Sequence, residues 1–272
     1  EFVFRGTRYA HPIEGTVAGL MSLTLDDVRA FYRQHFTAGN VLLGVGGGFD
    51  DAVVARVKAA VERLPVTRGA GRGRLLFAMD ATASREPTWD HACAIQGEMF
   101  AATDSLGGLD VRLAFYRGFE EFKISRWTSD GRELARLMSS VRCLAGRTQI
   151  ARLLRYAADQ RRESRIDAVV FVGDCCEEDI DQIGHEAGQL GLLGLPVFVF
   201  QEGDDRVASR LFPQIAKLTR GAWCKFDRNS PDQLRRLLGA VAAYAAGGRS
   251  ALLKYGKEKG GAAALLTDQM NK

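Results

Sequence analysis

The sequence predicts an α/β fold: a doubly wound, mostly parallel sheet with helices on both faces, preceded by a small α+β segment. Three observations carry this. From Leu75 onward, apolar runs of strand length alternate with amphipathic stretches of helix length. Two of those runs, residues 75–79 and 168–172, contain no polar residue, as strands buried on both faces require. Each run ends beside an aspartate, Asp80 directly and Asp174 after one glycine. The 272 residues, 46% hydrophobic and 26% charged, suffice for one large or two modest globular domains.

Residues 1–66 read as helix, strand and helix. Thr24 and Asp27 form a capping-box start, and Val28, Phe31, Tyr32 and Phe36 share one apolar helical face. Residues 41–45 read as a short strand, and residues 51–64 as an amphipathic helix stopped by Pro65. Between them, Val45-Gly46-Gly47-Gly48 lacks the Gly-x-Gly-x-x-Gly spacing and an acidic partner on a second strand. It reads as a tight turn rather than a phosphate cradle. Residues 67–74, rich in Gly and Arg, form a linker.

The main domain spans residues 75–248. Its strands are predicted at 75–79, 111–116, 168–172, 197–200 and 222–226, with an edge strand at 121–127 reached through a turn at Gly118. Its helices are predicted at 89–105, 132–141, 149–162, 180–192, 207–218 and 231–246. Residues 249–272, rich in Gly, Lys and Ala, read as a weakly structured tail.

Sheets of this kind place ligands at the carboxyl ends of their strands. There, Asp80 is followed by hydroxyls at Thr82 and Ser84. A second loop, Cys143 to Ile150, carries the hydroxyl of Thr148 into a helix, and a third begins at Asp174. Carboxylates and hydroxyls converging on one point suit a hard divalent cation such as Mg²⁺. The competing reading is that these residues only cap helix N-termini. The run Glu177-Glu178-Asp179 reads as a solvated, helix-capping cluster beside the site rather than as extra ligands.

This order of residues, Asp-x-Thr-x-Ser, then a lone Thr, then a strand-terminal Asp, resembles the metal-ion-dependent adhesion site of von Willebrand factor type A domains. The resemblance runs from about Arg74 to Gly248. Thr82 stands where that family usually has serine, and Cys175 replaces the glycine that usually follows the last aspartate. The resemblance implies a von Willebrand A-like fold and a Mg²⁺ (or Mn²⁺) ion organised by Asp80, Thr82, Ser84, Thr148 and Asp174. It implies that the hydroxyls of Thr82 and Ser84 coordinate directly and that the two aspartates act mostly through water. An open coordination position would then capture an Asp or Glu of a protein partner, with no reaction catalysed.

Residues 1–66 resemble part of an insulinase/pitrilysin-type zinc peptidase domain, through Tyr9-Ala10-His11-Pro12, Leu23 to Val28, Phe31-Tyr32 and Asn40 to Gly47. The family's His-x-x-Glu-His motif is absent: Gly15 stands where the second histidine belongs, and His35, His91 and His185 are isolated in sequence. This segment therefore reads as a remnant, or as a fragment of a longer zinc peptidase fusion, without catalytic residues. A third reading treats the main domain as a phosphohydrolase resembling the haloacid-dehalogenase type. Asp80 would then be the nucleophile, Asp174 and Asp179 would hold Mg²⁺, and Lys123 would be the only lysine between Asp80 and Asp174 to balance phosphate charge.

A net charge of +4 with no basic block gives no argument for nucleic acid binding, and no apolar run reaches the ~20 residues of a membrane span. Because the sequence begins at Glu1, a preceding signal peptide stays an open expectation. The five cysteines, Cys93, Cys143, Cys175, Cys176 and Cys224, include no C-x-x-C pair and read as reduced thiols of a cytoplasmic protein. A Cys175–Cys176 disulfide would be strained, and zinc binding by that pair lacks two further ligands.

Overall fold

The computed structural model describes residues 17–35, 48, 50–62, 72–85, 108–226, 231–260 and 262–270. The chain divides into two compact units, Glu1–Gly71 and Arg72–Lys272. The predicted strand at 41–45, the helix at 89–105, Phe36, His91 and Cys93 fall outside the described residues.

In the first unit, α1 (Val17–Ser22), α2 (Leu25–His35) and α3 (Asp51–Glu62) are described. The predicted capping box forms: Thr24 N donates to Asp27 Oδ2 at 2.8 Å, and Asp27 N donates to Thr24 Oγ1 at 3.2 Å. Asp50 caps α3 in the same way, its Oδ1 accepting from Val53 N. On α2, Val28, Phe31 and Tyr32 are exposed.

The second unit is built on six strands: β1 (Gly73–Asp80), β2 (Leu109–Arg117), β3 (Glu121–Ile124), β4 (Ala168–Gly173), β5 (Val197–Glu202) and β6 (Ala222–Phe226). Their order across the sheet is β3-β2-β1-β4-β5-β6. Every neighbour pair is parallel except β2 with β3. β3 is shorter than predicted: after Ile124 only an isolated bridge, Val111 to Thr128, continues the pairing. Its charged Glu121 and Lys123 suit a strand at the sheet edge.

The central strands are apolar because both their faces are covered. On one face, Leu76, Ala78, Val169, Phe171, Val197 and Val199 pack with α5 (Ile150–Glu163), α6 (Ile180–Leu192) and α7 (Ala208–Thr219). On the other, Leu75, Phe77, Met79, Val170, Val172 and Phe198 pack with α4 (Gly131–Ser139) and α8 (Pro231–Lys259). The approach of α8 to β1 is close enough that a Cβ on Gly73 would sit 2.6 Å from the backbone of Ala245.

The expectation of a weakly structured tail is corrected. Gly248, at φ 74° and ψ −162°, breaks α8, after which the chain resumes as helix and continues into α9 (Ala262–Met270). Leu252 and Leu266 are fully buried in the core layer that α8 shares with the sheet. The leucines hidden in an Ala-rich stretch are what hold it there. Gln269 also completes the open edge of the sheet. Its Oε1 accepts from Trp223 N at 2.8 Å, and its Nε2 donates to Trp223 O at 2.7 Å. The side-chain amide thus serves β6 as a neighbouring strand would. No helix among the described residues is long and apolar enough to cross a membrane.

Candidate metal centre

The strand order reverses its direction of travel between β1 and β4, and the sequence places an aspartate at the carboxyl end of each. A crevice at such a switch point is where doubly wound sheets bind ligands. Asp80 closes β1 and is fully buried, whereas Asp174 follows Gly173 at the end of β4 and is half-buried.

Hydrogen bonds link four of the five predicted residues. Thr82 N donates to Asp80 Oδ1 at 2.8 Å, folding the chain back over the strand end as an Asx turn. The hydroxyls of Thr82 and Ser84 lie 3.4 Å apart. Ser84 Oγ donates to Asp174 Oδ2 at 2.8 Å, across from β1 to β4. Thr148 is buried, and its Oγ1 accepts from Glu177 N at 3.1 Å, on the loop that Asp174 begins. The loop carrying Thr148 is anchored to the same edge, because Leu144 N donates to Ala81 O at 3.0 Å and Gly118 N donates to Leu144 O at 3.4 Å.

Tyr116, a residue without a sequence motif, completes the inner wall. It is the register partner of Asp80 on β2, and its hydroxyl donates to Asp80 Oδ2 at 3.2 Å. Burial, followed by the charge of Asp80, pushes the Tyr116 phenol well above its usual range. It therefore stays a neutral donor to a buried carboxylate. The pairing is legible only once β1 and β2 are aligned, since the two residues are 36 apart in sequence.

Two residues of the acidic run beside the site, Glu178 and Asp179, act as caps. Glu178 Oε1 accepts from Ile150 N at 2.5 Å and its Oε2 accepts from Ala151 N at 3.0 Å, closing the start of α5. Asp179 Oδ1 accepts from Asp181 N at 2.8 Å, capping α6.

The donor set fits a divalent cation. Asp174 Oδ1 is buried and has no hydrogen-bond partner, an arrangement that is costly unless a cation or water meets it. Ligand atoms of Asp80, Asp174 and Cys175 lie within 4.8 Å of one another. Burial pushes the Cys175 thiol far above its ordinary value, and the Asp174 and Asp80 charges push it in the same direction. A cation between the carboxylates would cancel that second contribution.

Beside these residues, an open cleft of ≈ 580 Å³ is lined by Phe119, Ala145, Gly146, Arg147 and Glu177. Gly146 packs closely against the turn before Phe119: a Cβ on it would lie 2.1 Å from the carbonyl oxygen of Gly118.

No model of a known protein family matches the chain, and no curated protein matches it. Solved structures do. A von Willebrand factor type A protein from Catenulispora acidiphila superposes with a TM-score of 0.52 at 14% identity, over 65% of this chain and 43% of that one. The pilus adhesin SpaC from Lactobacillus rhamnosus GG, in its open conformation, gives 0.53 at 10% identity, over 65% of this chain and 30% of the adhesin. Proximal thread matrix protein 1 from the mussel byssus, with a zinc-occupied MIDAS motif, gives 0.49 at 12% identity, over 63% and 46%. This chain thus spans less than half the length of each of these neighbours. The peptidase resemblance of residues 1–66 finds no support in these comparisons. The six-stranded, mostly parallel sheet flanked by helices has the α/β architecture of von Willebrand factor type A domains.

Proposed function

We propose that the second unit is a metal-dependent protein-binding module whose cation is held by Asp80, Thr82, Ser84, Thr148 and Asp174. The observation that carries this reading is the convergence of the Asp80 and Asp174 carboxylates at two strand ends, where Ser84 Oγ donates to one Asp174 oxygen and the other is buried and unpartnered. Mg²⁺ or Mn²⁺ would supply the positive charge that the two aspartates lack and an exchangeable position for an oxygen ligand. The protein's own residues would set the geometry. Thr82 N and Tyr116 hold Asp80, Ser84 holds Asp174, and Glu177 N holds Thr148. An Asp or Glu of a partner protein would occupy the exchangeable position. The described cysteines are free thiols, which supports a reducing, cytoplasmic setting.

Two residues that the phosphohydrolase alternative requires are engaged elsewhere. Lys123 is solvent-exposed on β3 and pairs with Glu121 at 3.7 Å, while Asp179 is engaged as the cap of α6. The test is twofold. Supplied with Mg²⁺, the full chain is expected to leave a generic aryl phosphate unhydrolysed above background, and to retain an immobilised acidic peptide only until chelator is added. Turnover lost on Asp80→Asn would establish the phosphohydrolase instead. Retention that ignores chelator would refute metal-dependent capture.

A further inference from the structure

We propose that Cys175 is itself a metal ligand, and that it shifts the preference of this site from Mg²⁺ toward zinc-like cations. The inference rests on the metal-binding reading above and adds the identity of the ion. A side chain directly after Asp174 has two directions available: into the core behind the strand or toward the crevice. The two consecutive cysteines divide these between them. Cys176 is buried and belongs to the apolar cluster formed with α5, α6 and α7. Cys175 is half-buried, and its Sγ lies within 4.8 Å of carboxylate oxygens of both Asp80 and Asp174. The pair therefore forms neither a vicinal disulfide nor a two-sulfur site. The ligands that a Cys–Cys zinc site would lack are supplied here by carboxylates from two strand ends.

The distances suit a small tetrahedral ion. Zinc binds sulfur at ~2.3 Å and carboxylate oxygen at ~2.0–2.2 Å, so ligand atoms around it lie about 3.5 Å apart. Modest side-chain rotation closes an array already confined within 4.8 Å. Ser84 Oγ, 2.8 Å from Asp174 Oδ2, is placed to be a fourth donor or to hold a bound water. Asp174 Oδ1, buried and without a hydrogen-bond partner, is an acceptor that an ion would satisfy. Mg²⁺ requires six oxygen ligands in near-octahedral array and gains nothing from sulfur, whereas Zn²⁺ and Co²⁺ bind thiolate strongly. A glycine at this position would leave an all-oxygen site; a cysteine makes it mixed. Binding exchanges the S–H bond for a metal–sulfur bond and releases the proton to solvent.

The experiment uses the full chain and metal ions alone. Co²⁺ added to the wild type is expected to give an intense near-ultraviolet sulfur-to-cobalt charge-transfer band, absent in Cys175→Ser. Competition with a chromophoric chelator should show Zn²⁺ affinity falling at least ~10-fold in Cys175→Ser while Mg²⁺ affinity is unchanged. A second variant, Cys176→Ser, should keep the band. Co²⁺ binding without the band, or a band that persists in Cys175→Ser, would overturn the ligand assignment and leave the metal site standing. Failure of Mg²⁺, Mn²⁺, Zn²⁺ and Co²⁺ alike to bind would overturn both.

Discussion

Asp80 is a fully buried carboxylate that accepts from a backbone N–H and a phenol, and much of the chemistry of the site follows from that. Such a group is costly to bury, and each donor that meets it recovers part of the cost. Tyr116→Phe removes one donor and is expected to destabilise the metal-free protein by about 1–3 kcal/mol in urea unfolding. It should also weaken divalent cation binding by about tenfold, because the ligand's orientation is lost. Unchanged stability together with unchanged affinity would show that the Tyr116 hydroxyl does not support Asp80. A second effect concerns protons. Burial raises the Cys224 thiol from 9.0 to about 11, so the folded chain keeps a proton that the unfolded chain loses. Stability from this group is complete below about pH 9 and falls as pH rises toward 11. The melting temperature should decline over that interval, and less steeply in Cys224→Ala. Four of the ligand candidates were legible in the sequence because they follow two apolar strands, β1 and β4; Thr148 was legible only as a hydroxyl just before a helix, and the loop that carries it joins α4 to α5 rather than following a strand. Tyr116 was not, since only the register of β1 with β2 brings it to Asp80.

At the scale of elements, loops from neighbouring strands depend on one another. Glu178 lies after β4 yet caps α5, whose first residue is 28 positions earlier. This bond joins the Thr148 loop to the Asp174 loop independently of any metal. Glu178→Ala should cost about 1–2 kcal/mol by leaving two helix N–H groups without their acceptor. It should also weaken cation binding while leaving the helix content of the folded protein, read by circular dichroism, nearly unchanged. A fully retained affinity would show that the two loops hold their geometry separately. The capping character of Glu178 and Asp179 was legible from composition, but the helix that Glu178 serves was not, because its partner is distant in sequence.

For the second unit as a whole, alternation of strand and helix predicted the sheet well because its central strands are apolar on both faces, a pattern no amphipathic helix shows. The same reasoning failed after Gly248. A low-complexity, Ala-rich segment carries little periodic signal, and the burial of Leu252 and Leu266 becomes evident only against the sheet. Leu252→Ala is expected to cost about 2–5 kcal/mol in denaturant unfolding. Removal of residues 249–272 should lower stability further, since it also strips the Gln269 amide from the edge of β6. A truncated chain as stable as the full one would show that these helices add nothing to the core.

Calorimetric titration of Mn²⁺ into the full chain tests the central claim most directly, because heat is evolved whether or not a partner is known. The account predicts one saturable site per chain, lost in Asp174→Asn and strongly weakened in Ser84→Ala, with both variants folded by circular dichroism. Absence of saturable binding, or binding undiminished by both substitutions, would contradict it.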